Sequence, residues 1–525
     1  VTDEDIVIGS GPAGVAAAHA LLARGRRVVM IDVGETLEPE HAARRERMAA
    51  TGPDAWLSAD IDAATHVRRS ARSDVMRPFG SDFPIRDAVG FFGGKAPPAD
   101  LALRPSFARG GLSNGWGSSV LPYRIEDMTA WPAAAKDLAA HYEAVSRFAP
   151  ISAAHDDLEA LFPLWRVDAA HAYPPGPQGA TFLSRLAQRK DALAREGVTA
   201  GRSRLAFAGE ACRTCGLCLY GCPYGVIFNA AGEVEKLLRH ARFRYAPQKR
   251  AVRFEEHGDG VRVTLADARS GASETIDAAR LFIGAGVLPT ARIVLNSLPG
   301  QIERLTLLDS QHLLMPMLHQ WAPPADIATT PQNTLAQAFI ELSDARLSPS
   351  MIHAQVYAYN DFLKSDLQLK FGALSGVLEP VIDAVSRRLL VAQLFAHSDH
   401  CGRIELTRNG DPGDARLAYK ARESDEAGRV LKAAAGRLAR ALLPSGVIAM
   451  PFQARMGAVG SSFHVGGSLP MAERPRAGET DVFGRIAGTT RTHVIDASVF
   501  PSVPATTITF TVMANAHRIA SEAPL

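Results

Sequence analysis

Asp5-Ile6-Val7-Ile8-Gly9-Ser10-Gly11-Pro12-Ala13-Gly14 is a short apolar run followed by glycines in the G-x-G-x-x-G spacing. Val15 to Arg26 continues with helical composition, and Arg27-Val28-Val29-Met30-Ile31-Asp32 is a second apolar run that ends in an acid. Strand, tight turn, helix and strand in that order predict a βαβ dinucleotide-binding unit. Gly9 permits the turn, Gly11 lets the backbone approach a pyrophosphate, and Gly14 lets helix and strand pack closely. Pro12 and Ala13 stand at the helix N-terminus, whose unpaired N–H groups face the phosphates. Asp32 falls where a carboxylate accepts hydrogen bonds from a ribose.

At 525 residues the chain exceeds one average domain. Its formal net charge of +2 offers no basic surplus for a nucleic acid or another polyanion. No run of about 18 consecutive apolar residues occurs, so no transmembrane helix is expected. The nucleotide unit begins so early that no room for a signal peptide is expected. Four of the five cysteines fall within Cys212 to Cys222. That clustering fits metal or redox chemistry in a reducing compartment better than a disulfide framework. A cytoplasmic protein is the expectation.

Two further stretches, Phe91-Phe92-Gly93-Gly94-Lys95 and Ala108-Arg109-Gly110-Gly111-Leu112-Ser113-Asn114-Gly115-Trp116-Gly117-Ser118-Ser119, are dense in glycine. Such loops either let a backbone lie close against a flat ligand or simply turn at the surface. Val252 to Leu265 and Glu274 to Ile283 read as strands, the first broken at His257-Gly258-Asp259-Gly260. Leu281 to Gly286 reads as a buried strand running into a glycine turn, with a helix over Pro289 to Leu298. Beyond it, Thr334 to Leu342, Met351 to Tyr359, Leu389 to His397 and Arg403 to Thr407 predict a mostly antiparallel sheet, since no long helices separate them. An amphipathic helix over Ser424 to Leu443 stops at Pro444-Ser445-Gly446. The fold class expected is α/β for the nucleotide unit and α+β overall.

Cys212-Arg213-Thr214-Cys215-Gly216-Leu217-Cys218-Leu219-Tyr220-Gly221-Cys222-Pro223 fits C-x2-C-x2-C-x3-C-P, the bacterial ferredoxin spacing. Thiolates are the soft ligands that iron–sulfur clusters need. Cys212, Cys215, Cys218 and Cys222 are candidate ligands of a [4Fe–4S] cluster, or three of them of a [3Fe–4S] cluster. A packed thiol loop and a zinc site are the alternatives. Cys401 stands alone and reads as a small buried residue. His312 reads as a strand-end residue, with a place in the pocket lining as the alternative, and His397, Asp399 and His400 read as an exposed turn ahead of Gly402, with a metal site as the alternative.

Together these motifs resemble the glucose–methanol–choline (GMC) family of FAD oxidoreductases. The Gly9–Asp32 unit and the Gly110–Ser119 loop carry the likeness. So do Gly284-Ala285-Gly286-Val287-Leu288-Pro289-Thr290, Ser462-Phe463-His464-Val465-Gly466-Gly467-Ser468-Leu469-Pro470-Met471 and His493-Val494-Ile495-Asp496-Ala497-Ser498-Val499-Phe500-Pro501, in the family's order and spacing. The likeness covers the nucleotide half well and residues 301–453 only in general texture. It implies a Rossmann-like FAD-binding domain over 1–300 and 454–525, with excursions at about 35–90 and 125–200. Interlaced with it is a substrate domain over 301–453, built on the antiparallel sheet. Gly110, Gly111, Ser113, Asn114, Gly115 and Trp116 would then lie along the flavin and pyrophosphate, with Asn114 and Trp116 as flavin neighbours. Gly284 belongs to the second glycine turn, and Asp496 and Ala497 look like the flavin-side contact. Some members attach FAD through a histidine where this sequence has Gly115, so non-covalent FAD is expected.

Members of the family oxidise an alcohol carbon by moving hydride to the flavin N5, and a base must take the hydroxyl proton. His464 stands at the family's active-site histidine, and an imidazole suits the task with a reference pKa of about 6.5. The family's second residue, a histidine or asparagine, aligns with Thr507. A threonine donates a hydrogen bond but is no comparable base, so Thr507 takes a minor positioning role, with Thr506 or Thr509 as alternatives. Some bacterial sugar dehydrogenases of the family carry a cluster at a cysteine-rich segment. The function implied is FAD-dependent oxidation of an alcohol group on a sugar, glycoside or polyol. The electron acceptor is molecular oxygen, a protein or a quinone. A non-redox lyase, like the hydroxynitrile lyases that resemble this family, and a pure electron-transfer component are the alternatives.

Overall fold

The computed structural model describes residues 3–65, 77–91, 102–167, 169–323, 333–358, 368, 371–410 and 415–524. Strands Glu4–Ile8 and Arg27–Ile31 pair in parallel, with helix Pro12–Ala23 connecting them. The parallel sheet runs in the order Thr492–Val494, Arg280–Ile283, Glu4–Ile8, Arg27–Ile31, Phe243–Ala246. Its central strands are covered on both faces, which is why they read as unbroken apolar runs. Ala13, Ala16, Ala17, Ala18 and Ala20 bury the first helix on all sides. Small side chains let it lie between this sheet and the C-terminal helix Thr509–Glu522. This is the Rossmann-like part of the molecule.

The second large sheet is antiparallel throughout. Its order is Val447–Ala449, His312–His319, Leu389–Phe395, Ile352–Tyr357, Ala338–Leu342, Val198–Arg202. Helix Asp425–Leu442 buries Ala427, Leu431, Ala434, Ala435 and Leu438 on one stripe and packs with it into a single apolar core. A smaller antiparallel sheet joins Arg304–Asp309 to Arg403–Asn409 on one side and to Val465–Gly466 on the other. That last pairing brings the segment before Gly466 to the boundary between the two large sheets. Among the described residues, no helix is long and apolar enough to cross a membrane.

Two expectations need correction. The run Glu274 to Ile283 is two strands: Ser273–Ala278 pairs antiparallel with Gly260–Asp267, and Arg280–Ile283 pairs parallel with Glu4–Ile8. The chain changes sheets at Ala279, whose N–H bonds the carbonyl of Glu4 at 2.9 Å. His397 and His400 are buried rather than in an exposed turn, because His400 is held between Glu426 and Ser348, both at 2.9 Å. Residues 92–95 of the first glycine-rich loop lie outside the described residues.

A buried ion pair locks the parallel sheet to the C-terminus. Asp5 accepts two hydrogen bonds from Arg280, at 3.0 and 2.6 Å, and two from Arg26, at 2.9 and 3.4 Å. Arg280 also donates to the carbonyls of Ala523 and Pro524 at 3.3 and 3.0 Å. Removing one partner of such a pair leaves the other charge buried and uncompensated. Asp5→Ala is expected to cost about 3–5 kcal/mol, read from urea denaturation of the full chain. A loss below about 1 kcal/mol would count against the clamp.

Candidate active site

The N-terminus of helix Pro12–Ala23 opens onto free space. A Cβ on Gly11 would meet nothing within 4 Å, whereas one on Gly14 would stand 1.9 Å from the Gly9 carbonyl oxygen. Gly9 itself, at φ 94°, touches Gly284, whose carbonyl oxygen would lie 2.5 Å from its Cβ. The Gly110–Gly111 turn walls the space from the other side, with Gly111 packed on the Cα of Gly11. Ser10 links the two, accepting the Gly110 N–H at 2.9 Å and donating to Asp32. Asp32 also accepts from the Tyr245 hydroxyl at 3.2 Å, and burial pushes its carboxyl up to about 6 against these hydrogen bonds.

The loop after Gly111 is tied down by its own side chains. Ser113 donates to the Gly110 carbonyl at 2.6 Å and accepts the Ala230 N–H at 2.9 Å. The Asn114 amide donates to the carbonyls of Arg109 and Gly111 at 2.8 and 2.7 Å and accepts from Asn229 at 2.8 Å. Trp116 donates its indole N–H to the Phe228 carbonyl at 3.0 Å, with Gly115 half-buried beside it. Asn114 and Trp116 therefore use their polar atoms to shape the loop.

Asp496 connects this cradle to the next element. It accepts the Gly286 N–H at 2.9 Å, the Thr290 hydroxyl at 2.5 Å and the Ser498 N–H at 2.9 Å. Its neighbour Ala497 accepts the Gly467 N–H at 2.9 Å, so the segment that carries His464 is anchored directly to it. Asp309, fully buried, secures the other end of that segment. It accepts the Gly460 N–H at 2.6 Å and the Ser462 hydroxyl at 2.7 Å, and Ser462 in turn accepts the His464 N–H at 3.0 Å. Phe463 sits at φ 58°, a left-handed conformation costly for a bulky residue. The His464 ring stacks on Phe395 at 4.7 Å, and its buried Nδ1 has no hydrogen-bond partner among the described residues. Burial, with His353 and His312 close by, pushes His464 down to about 3, so the ring is neutral.

Thr507 spends its hydroxyl differently, accepting the Leu121 N–H at 2.7 Å. Thr506 keeps a buried hydroxyl without a partner among the described residues. The antiparallel sheet supplies what the motifs did not reveal. His312, Phe395, His353 and Glu341 are successive cross-strand partners and share one face. Three imidazoles, His312, His353 and His464, surround the single ring of Phe395 at 5.8, 6.1 and 4.7 Å. The signal for Glu341 and His353 was present: a charged and a titratable residue inside strands that are otherwise apolar.

Residues 398–516 match a family profile described as GMC oxidoreductase. That stretch of the chain is similar to the GMC oxidoreductases. In fold the chain is similar to a crystal structure of pyridoxine 4-oxidase from Mesorbium loti, with a TM-score of 0.58 and 15% identity over 99% of this chain and 98% of that one. It is also similar to a fungal aryl-alcohol oxidase, with a TM-score of 0.54 and 13% identity over the same shares. At these identities the likeness concerns the fold alone. No curated protein matches the sequence.

FAD is the family's cofactor, and the cradle fits it. The open space at Gly11, the absence of room for a side chain at Gly9 and Gly14, and the carboxylate of Asp32 suit the ADP half of a dinucleotide. Cys212 and Cys218 both point at the Asn333 side-chain oxygen, at 3.7 and 4.0 Å, and Cys215 packs with Leu217 and Tyr220 within electrostatic range of the other three thiols. Burial pushes the Cys215 and Cys218 thiols up to about 12 and about 11. Among the described residues, no three His, Cys, Asp or Glu side chains form a group able to hold a metal ion.

The glycines make separable predictions. Gly14→Ala forces backbone against backbone and is expected to destabilise the chain by about 1–3 kcal/mol, seen as a lowered unfolding midpoint. Gly11→Ala adds its methyl to free space, so unfolding should be unchanged while FAD binding, titrated by flavin fluorescence, weakens about tenfold or more. Unaltered FAD affinity in Gly11→Ala would remove Gly11 from the pyrophosphate site.

Proposed function

We propose that this chain oxidises the hydroxyl-bearing carbon of a small alcohol, a sugar, glycoside or polyol, with His464 taking the hydroxyl proton and FAD held non-covalently over the Gly9–Asp32 unit. Bound FAD would supply the two-electron acceptor that the chain's own side chains lack. The observation that carries the reading is the His464 imidazole: neutral, buried at Nδ1 without a partner among the described residues, and held on a loop fastened at Asp309 and Ala497. An imidazole held this way keeps a ring nitrogen free of hydrogen bonds to the described residues, and a bound substrate with its developing alkoxide would have to raise its basicity for it to act as base. Gly115 offers no nucleophile for covalent attachment of the flavin. We divide the chain into a nucleotide domain over 1–300 and 454–525 and a substrate domain over 301–453, with strand Val198–Arg202 crossing into the substrate sheet.

A polar substrate suits the sheet face below the imidazoles. The Gln355 side-chain oxygen accepts from Ser119 at 3.1 Å and from Tyr357 at 2.8 Å, and Gln393 lies directly across from it. The two solved proteins of like fold are named for oxidations of pyridoxine and of aryl alcohols. Five free thiols suit a reducing, cytoplasmic setting.

Anaerobic mixing of the holoprotein with a panel of alcohols and sugars is expected to bleach the flavin band with at least one of them. In His464→Ala the reduction should slow by about 10²–10⁴-fold at unchanged FAD content. A lyase or a bare electron carrier would leave the band intact with every compound, and that result would end the oxidation reading. Iron and acid-labile sulfide in anaerobically purified protein decide the electron route. About three to four irons per chain assign a cluster on Cys212, Cys215, Cys218 and Cys222 and a protein or quinone acceptor. Their absence, with hydrogen peroxide formed in air, assigns molecular oxygen.

A further inference from the structure

Glu341 and His353 are directly opposed on strands Ala338–Leu342 and Ile352–Tyr357, and the two side chains are 1% and 0% exposed. His353 Nδ1 lies 2.7 Å from Glu341 Oε1. The remaining polar atoms, His353 Nε2 and Glu341 Oε2, are buried with no hydrogen-bond partner among the described residues. Burying such groups costs stability, and they are retained where they perform chemistry. The pair stands in the same cluster of rings around Phe395 as His464.

We propose that Glu341 and His353 form the second proton-holding unit of the active site, the role that Thr507 is not equipped to fill. This rests on the oxidation reading above. The substrate O–H bond breaks toward His464, the proton passes on, and it comes to rest on Nε2 of His353, whose other ring nitrogen, Nδ1, lies 2.7 Å from the Glu341 carboxylate. Only a proton moves in this step; the electron pair leaves with the hydride. Counter-charge decides where the proton stays, because a buried charge is tolerated only when paired.

Around His464 the neighbouring titratable groups are two further imidazoles, and Asp309 is already occupied by Gly460 and Ser462. Burial pushes the Glu341 carboxyl up, with Asp127 adding to it, while His353 and then Arg124 favour the carboxylate, so the charge of Glu341 depends on its contact with His353. Arg204, itself buried, also feels the Glu341 charge. With the His353 Nδ1–H donated to Glu341, Nε2 is a bare acceptor. The logic is that of a carboxylate fixing the tautomer and orientation of a catalytic imidazole. His353 is thus a positioning and proton-holding residue that acts through His464.

Two measurements on the FAD-loaded full chain test this. In ¹⁵N-histidine spectra at neutral pH, His353 is expected as the Nδ1–H tautomer with a bare Nε2. Glu341→Gln, of nearly the same shape, can donate its amide to Nδ1 and is expected to move the proton to Nε2. The same variant should slow flavin reduction by the best alcohol of the panel by about 10²–10⁴-fold, with FAD content and unfolding midpoint unchanged. Glu341→Asp should recover about tenfold over Glu341→Gln. An Nε2–H tautomer in the wild type overturns the proposal, as does a Glu341→Gln rate within about twofold of the wild type. Should Glu341→Gln fail to fold, the wild-type tautomer still decides. A wild-type flavin that no alcohol reduces ends the oxidation reading and this proposal with it; a reducible wild type with an unaffected Glu341→Gln ends this proposal alone.

Discussion

Backbone touching backbone at Gly9, Gly14 and Gly284 is the contact on which the rest of the molecule depends. A Cβ at Gly14 would stand 1.9 Å from the Gly9 carbonyl, and one at Gly9 would stand 2.5 Å from that of Gly284. Two strand-to-helix turns therefore meet with no side chains between them. Their helix N-termini converge on one side of the parallel sheet, where a polyanion is favoured by unpaired N–H groups. Asp496 reinforces the meeting point by bonding Gly286, Thr290 and Ser498 at once. Ala497 then passes the constraint to Gly467, so the loop bearing His464 is positioned by the same glycines that shape the nucleotide cradle.

A second theme is polarity placed where it costs stability. Unpaired buried polar atoms cost about 1–3 kcal/mol each, against a net stability of about 5–15 kcal/mol for a typical domain. Among the described residues, His464 Nδ1, His353 Nε2, Glu341 Oε2 and His312 Nδ1 are four such atoms in one cluster. The strained φ of Phe463, next to His464, adds to the load. The surrounding strands offset it with apolar side chains such as Leu313, Leu394, Ala354 and Ile340, fully buried against helix Asp425–Leu442.

Much of this was legible from residue order alone. The glycine spacing at 9, 11 and 14, the acid at 32 and the strand runs between 334 and 407 have local signatures, and local signatures survive folding. The run from Glu274 to Ile283 misled because strand propensity carries no information about which sheet a strand joins. His397 and His400 misled because a polar triplet before a glycine suggests an exposed turn, and only the distant Ser348 and Glu426 bury His400. Thr507 shows the same limit: its motif position was readable, but the use of its hydroxyl depends on the backbone of Leu121.

Sequence by itself determined the nucleotide unit, the mixed α/β class and the motif position of His464. The nucleotide unit rests on glycine spacing and its flanking apolar runs, where covalent geometry limits the outcomes, the class rests on strand and helix patterning along the chain, and the place of His464 rests on the resemblance to a family motif. Tertiary structure alone decided that Asp309 fastens the loop of His464 and that Glu341 faces His353. Those pairings come from strand register, and register is set by side-chain packing across the whole sheet rather than by the residues that end up facing each other.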